Sequence, residues 1–259
     1  MSRTTLPQYE SRADRIRRND KSLTVVEILD DQDDAIEILD ALKNNSNVKK
    51  LSLQNGLQEN QEALAKLSEV MRCNKSVEFF TIILQGGLLC GRFFATIATS
   101  GGWSSIKVLH LIIFSDNNIA PLSLTDAEHI SSFIIHSDNL RTLTLDVAGN
   151  GATPIQIVET LSRTKVQSLV IRFRSPVSLL NGGRRFATAL ERCNSITELW
   201  LKFSSYVDQL QLFQILLIES IPKLLGLKKL DLEMNDHVDQ QFFDMMGQCI
   251  GGHQHNSTN

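Results

Sequence analysis

The pattern of apolar and polar positions repeats along the chain. Apolar residues spaced i, i+3 and i+5 occur as Leu23/Val26/Ile28, Val48/Leu51/Leu53, Val77/Phe80/Ile82, Ile106/Leu109/Leu111, Leu140/Leu143/Leu145, Val166/Leu169/Ile171, Ile196/Leu199/Leu201 and Leu227/Leu230/Leu232. The first positions of successive copies lie 25 to 34 residues apart, with a mean of about 29, a period in the range of strand-plus-helix solenoid repeats. Alternation at i+3 and i+5 predicts a short strand in each copy, one face buried. Between the strands the period changes from 2 to 3.6, and apolar stripes such as Leu64/Leu67/Met71, Phe93/Phe94/Ile97, Ile130/Phe133/Ile134 and Ile155/Val158/Leu161 predict a helix after each strand. Further stripes, Leu210/Phe213/Leu217 and Phe242/Met245/Met246, continue the series towards the C-terminus.

Local signals support the helix starts. Thr125 and Glu128 have capping-box spacing, and Pro154 suits a first helical turn. Two segments echo each other, Cys90 to Thr96 and Gly183 to Thr188, each with an Arg-Phe pair whose phenylalanine sits where the helix needs an inward anchor. The longest step, 34 residues, contains Ser115 to Pro121, which reads as a loop insertion. The organisation predicted is an N-terminal arm over 1–21 with a short capping helix, a solenoid over 22–250, and a disordered tail over 251–259 after Gly251-Gly252.

Eight copies in register resemble the ribonuclease-inhibitor-like leucine-rich-repeat family, in its divergent form common in unicellular algae. The resemblance covers about residues 22–250 and implies an α/β horseshoe of about eight strand-helix repeats, with a parallel concave sheet and helices on the convex side. One feature departs from the family. Its motif places Asn or Cys three residues past the last strand leucine, whereas Gly56, Gln85, Phe114, Ala148, Arg174 and Ser204 stand there, and only Asn235 conforms. The turns must be held in another way.

Composition narrows the function. The chain has 259 residues, a formal net charge of -3 and 21% charged residues, and no segment concentrates Lys and Arg enough to follow a row of phosphates, so nucleic acid is not the expected partner. No window approaches the roughly 18 apolar residues of a membrane span, and Met1 to Lys21 lacks the apolar core of a secretory signal. A cytoplasmic protein is expected. Cys73, Cys90, Cys193 and Cys249 are widely spaced, without the paired spacing of a zinc site, and read as reduced thiols. Asp30, Asp31, Asp33 and Asp34 lack the order of a calcium loop and read as a solvated helix cap. No nucleophile elbow, phosphate loop, dinucleotide fingerprint or zincin motif is present. The expectation is a protein that is not an enzyme, with no cofactor, no metal and no small-molecule substrate.

The strand alternation also selects a working surface. With i+3 and i+5 inward, i+2, i+4 and i+6 face the concave side. Strands three and four then carry an apolar patch of Phe79, Ile83, Val108 and Ile112 around His110, and strands five to eight carry Asp146, Arg172, Lys202 and Asp231 around Trp200. Exposed apolar patches mark interaction sites, and Trp and Arg dominate binding energies, so these ten residues are the candidate contacts for another protein. Two readings of the apolar patch stand side by side: a partner covers it, or the N-terminal arm or the 115–121 loop does. The family resemblance adds an alternative role, regulation of an enzyme as an inhibitor or as a GTPase-activating protein, for which Arg174 is the candidate arginine.

Overall fold

The computed structural model describes residues 11–29, 32–55, 57, 60–85, 88–114, 122–147, 152–173, 179–203 and 220–234. Strand and helix alternate along them: α1 (Arg12–Arg17), β1 (Val25–Ile28), α2 (Gln32–Leu42), β2 (Lys50–Leu53), α3 (Gln61–Cys73), β3 (Phe79–Gln85), α4 (Leu88–Thr99), β4 (Val108–Phe114), α5 (Leu124–Ile135), β5 (Thr142–Val147), α6 (Ala152–Thr160), β6 (Ser168–Phe173), α7 (Leu179–Glu191), β7 (Glu198–Phe203) and β8 (Lys229–Met234). The eight strands form one parallel sheet in sequence order. Among the described residues, β1 to β6 are each followed by a helix that packs on the preceding helix as its strand pairs with the neighbouring strand, a solenoid-like repeat.

The register follows the i+3 and i+5 positions without a slip. Leu51 pairs with Val26 and Phe80, Leu109 with Phe80 and Leu143, and Leu169 with Leu143 and Leu199. Burial explains this, since a one-residue slip would turn every inward leucine to the open side. The helix stripes meet them from the other side: Leu39, Leu67, Phe93, Ile130, Val158 and Phe186 are all buried. Phe93 and Phe186 are thus helix anchors in both echoed segments. Leu210/Phe213/Leu217 and Phe242/Met245/Met246 lie outside the described residues, as do Arg174, the 115–121 loop and the 251–259 tail.

The helix-to-strand turns are held by side-chain hydrogen bonds to the backbone. Asn74 donates from Nδ2 to the carbonyls of Leu42 (2.6 Å) and Asn45 (3.0 Å), and its Oδ1 accepts from the amides of Ser76 and Val77. Asn45, one repeat earlier, donates to Ile16 O at 2.7 Å and accepts from the amides of Asn47 and Val48. Each buried amide ties its own turn to the turn before it. In the next repeat Trp103 takes the same place and donates from Nε1 to Asn74 O at 3.0 Å, its ring edge-on to Phe80 with centroids 5.2 Å apart. Gly102, at φ +78°, precedes it, and a Cβ there would stand 2.3 Å from the His136 carbonyl oxygen. From then on the ladder uses smaller groups: Ser137 donates to Phe133 O, Thr164 to Leu161 O, and Cys193 to Ala189 O.

One helix start differs from expectation. The capping box before α5 is formed by Ser123 and Asp126, each side chain accepting from the other residue's backbone amide, and not by Thr125 and Glu128. The N-cap lies two residues earlier than expected, and the buried Asp126 carboxylate takes its donors there. Pro154 falls in the first turn of α6. At the N-terminal end α1 closes the array, with Ile16 buried and Arg12 donating to Glu27 O of the outer strand at 2.8 Å. At the far end Leu227, Leu230 and Leu232 are only partly buried.

Candidate interaction face of the sheet

The side chains that alternate away from the helices form three rows across the sheet. The i+2 row runs Val25, Lys50, Phe79, Val108, Thr142, Ser168, Glu198, Lys229, each paired with the next. The i+4 row contains His110 between Thr81 and Thr144, and Trp200 between Val170 and Asp231. The i+6 row brings together Ile83, Ile112, Asp146, Arg172, Lys202 and Glu233. Parallel pairing in register therefore brings the ten candidate residues into adjacent positions from segments up to 152 residues apart in the chain.

The two ends of this face differ in chemistry. Towards the N-terminus, Phe79 is 38% exposed and Val108, Ile83 and Ile112 are half-buried. Phe79 and Val108 border a depression of about 330 Å³ lined also by Val25, Glu27, Lys50 and Thr81. The Lys50 ammonium lies 5.1 Å from the Phe79 ring centroid, a cation over an aromatic face. His110 sits in the same depression, and burial pushes its imidazole below the ordinary 6.5, which keeps it neutral near pH 7. Val25, Glu27 and Lys50 stand in the same outward rows, on the two strands before the apolar patch.

Towards the C-terminus, Trp200 is 37% exposed and carries the Lys229 ammonium 4.2 Å over its ring. Lys202 pairs with Glu233. Asp146 departs from the expected arrangement: it is 2% exposed and so presents no charge at the surface. Its Oδ2 lies 3.4 Å from Nη1 of Arg172, whose own side chain is half exposed. The carboxylate positions the arginine from below, and the arginine is the group a partner would meet. Asp231 is exposed beside Trp200.

Other chemistry lies off this face. Cys193 is buried and its thiol is pushed up to about 12 by desolvation, so it is a neutral core group; Cys73 is free and exposed. Arg184, Arg185 and Arg192 border a depression of about 470 Å³ on the helix side, where Arg185 is clamped by both carboxylate oxygens of Glu159 at 2.9 and 2.8 Å. Among the described residues no three His, Cys, Asp or Glu side chains are grouped to hold a metal ion, and no helix is long and apolar enough to cross a membrane.

Neither a family model nor a curated protein matches the chain. Among solved structures it is similar to the tropomodulin C-terminal domain of Caenorhabditis elegans, at 13% identity and a TM-score of 0.35, over 70% of this chain and 90% of that one. A sugar phosphate isomerase/epimerase from Parabacteroides distasonis is similar at 8% identity and a TM-score of 0.25, over 88% of this chain and 92% of that one. At these scores neither likeness bears on function, and the class that the structure itself defines is an α/β strand-helix repeat.

Proposed function

We propose that the chain is a non-catalytic repeat protein of the ribonuclease-inhibitor-like leucine-rich-repeat type, curved into a horseshoe, that binds another protein on its concave face in the cytoplasm. The observation that supports this reading is the pair of aromatic rings, Phe79 and Trp200, each more than a third exposed on one sheet face and each covered on one side by a lysine ammonium. A large aromatic held by a cation is pre-ordered for contact, since its conformational freedom is already reduced before a partner arrives. Between them Arg172 and Lys202 supply directional donors along the i+6 row.

The test is partner capture with paired variants. Trp200→Ala and Phe79→Ala are expected to keep the far-UV circular dichroism spectrum of the parent and to weaken recovery of proteins captured by the parent chain, by roughly 2 kcal/mol or more at an anchor position. Unchanged recovery with both variants would sink the assignment of the binding face.

A further inference from the structure

A second surface runs along the edge of the sheet where the strands begin. The i+1 residues, Thr24, Lys49, Glu78, Lys107, Arg141, Gln167, Thr197 and Lys228, are stacked by a continuous backbone ladder in which each amide donates to the carbonyl of the preceding member at 2.7 to 2.9 Å. None of the eight is buried. The row holds four cations and one carboxylate, a net +3 in a chain of net -3. Lys107 already uses Glu78, at 2.9 Å, and Lys49 adds to the field that holds the Glu78 carboxyl low; Arg141 donates to the carbonyls of Asp138 and Leu140, and Lys49, Arg141 and Lys228 have no carboxylate in ion-pair distance among the described residues. Lys75 and Lys165, in the turns that lead into this edge, are exposed as well.

Folding alone does not account for this charge. Cations in the last turn of a helix are stabilised by its dipole, but the effect fades beyond that turn, and the row lies past the helix ends, at the strand starts. Lys107 and Arg141 stand at neighbouring strand starts, the Arg141 amide donating to the Lys107 carbonyl at 2.8 Å, where like charges side by side are destabilising. The backbone ladder holds them there in spite of the repulsion, and a ligand of opposite charge relieves it.

The density of charge indicates the ligand. Seven strand spacings of about 4.8 Å make the row about 34 Å long, so its net charge amounts to about one per 11 Å. Duplex DNA carries one charge per ~1.7 Å and would leave most of its phosphates unmatched beside Glu78. An extended polypeptide, rising about 3.3 Å per residue, offers one carboxylate per ~10 Å when every third residue is acidic. We infer that the strand-entry edge docks an extended polypeptide segment carrying an acidic residue at about every third position, laid across the strands.

Fluorescence anisotropy of a labelled 15-residue peptide with Glu at every third position and Gly or Ser between tests this at two salt concentrations. The parent chain is expected to bind, with affinity falling several-fold between 50 and 200 mM salt as screening shortens the field. The triple variant Lys49→Gln, Lys165→Gln, Lys228→Gln is expected to weaken binding about tenfold or more, the combined loss of three exposed charge contacts. Lys66→Gln, Arg92→Gln, Arg184→Gln, an equal loss of charge on the helices, should stay within about twofold of the parent, and circular dichroism of both triples shows whether they are folded. Absence of binding by the parent, an equal loss in the helix triple, or tighter binding of a single-stranded 15-nucleotide DNA or of phosphatidylserine vesicles would overturn the inference. Loss of peptide binding in Trp200→Ala would do so too, by moving the peptide to the open face; retention there keeps this edge separate from the concave-face reading.

Discussion

The N-terminal and C-terminal repeats hold their turns and dress their open face differently while sharing one strand register. In the first repeats buried asparagines connect turn to turn, Asn74 alone making two donor and two acceptor bonds to the backbone. In the later repeats Thr164 and Cys193 take over with fewer and weaker contacts, Thr164 within its own turn and Cys193 to Ala189 O and, at 3.9 Å, to Val158 O. On the open face, Phe79, Val108 and a neutral His110 give way to Arg172, Trp200 and Lys202. The comparison teaches that inward leucines suffice to set the register, which leaves both the turn chemistry and the outward rows free to diverge between repeats.

The two tryptophans offer the widest contrast. Trp103 is fully buried against Phe80, and Trp103→Ala should cost about 3 to 5 kcal/mol in urea unfolding, the range for a large core aromatic. Trp200→Ala should cost less, about 1 to 2 kcal/mol, because the ring is 37% exposed and contributes less burial than Trp103. Fluorescence separates them without unfolding: Trp200 in a Trp103→Phe chain should emit to the red and be quenched by iodide, and Trp103 in a Trp200→Phe chain should emit to the blue and resist quenching. Similar emission from the two would erase the distinction between core and face.

Next in size is the turn ladder. Asn74→Ala takes the partner from two amides and one of the donors from each of two carbonyls in a buried turn and should cost about 2 to 4 kcal/mol, whereas Cys193→Ala, losing two weak thiol contacts and little volume, should cost about 1 kcal/mol. Equal losses would mean that the ladder is not what holds the N-terminal turns. Gly102→Ala, at the junction of the two kinds of turn, should cost about 2 kcal/mol or more, since the added methyl would meet the His136 carbonyl at a backbone angle that L-residues avoid.

The smallest effect is one of pH. The folded chain lowers the His110 pKa by desolvation, so the stability linked to that residue is present above about 6.5 and is lost as pH falls through the lower folded value. Melting temperatures measured from pH 7 to pH 5 should therefore fall slightly less in His110→Gln than in the parent chain. A steeper fall in the variant would show that His110 is charged in the fold.

Strands, helix stripes and pairing register were legible in the chain because burial is periodic and the period is visible in the spacing of Leu, Ile, Val and Phe. The open-face rows were legible for the same reason, as the complement of the inward positions. The start of α5 was not, because Thr125-x-x-Glu128 and Ser123-x-x-Asp126 are both plausible caps, and the choice rests on which carboxylate the neighbouring elements bury. Asp146 was misplaced for a similar reason: strand alternation gives the direction of a side chain, not what covers it.

By itself, then, the order of apolar residues determined a parallel, sequential sheet of eight strands, with an inward-facing helix after each of the first six, since that arrangement packs all eight triplets against one core. Tertiary structure decided what depends on atoms about thirty residues away: that Asn74 reaches the carbonyls of Leu42 and Asn45, that Asp146 lies beneath Arg172, that Lys50 and Lys229 cover the rings of Phe79 and Trp200, and that Lys49, Lys107, Arg141 and Lys228 share one edge. A hydrophobic period encodes which face is buried. It does not encode the partners of a polar group, because those are supplied by the neighbouring repeat, and which neighbour atoms come within hydrogen-bond reach is set only when the repeats stack.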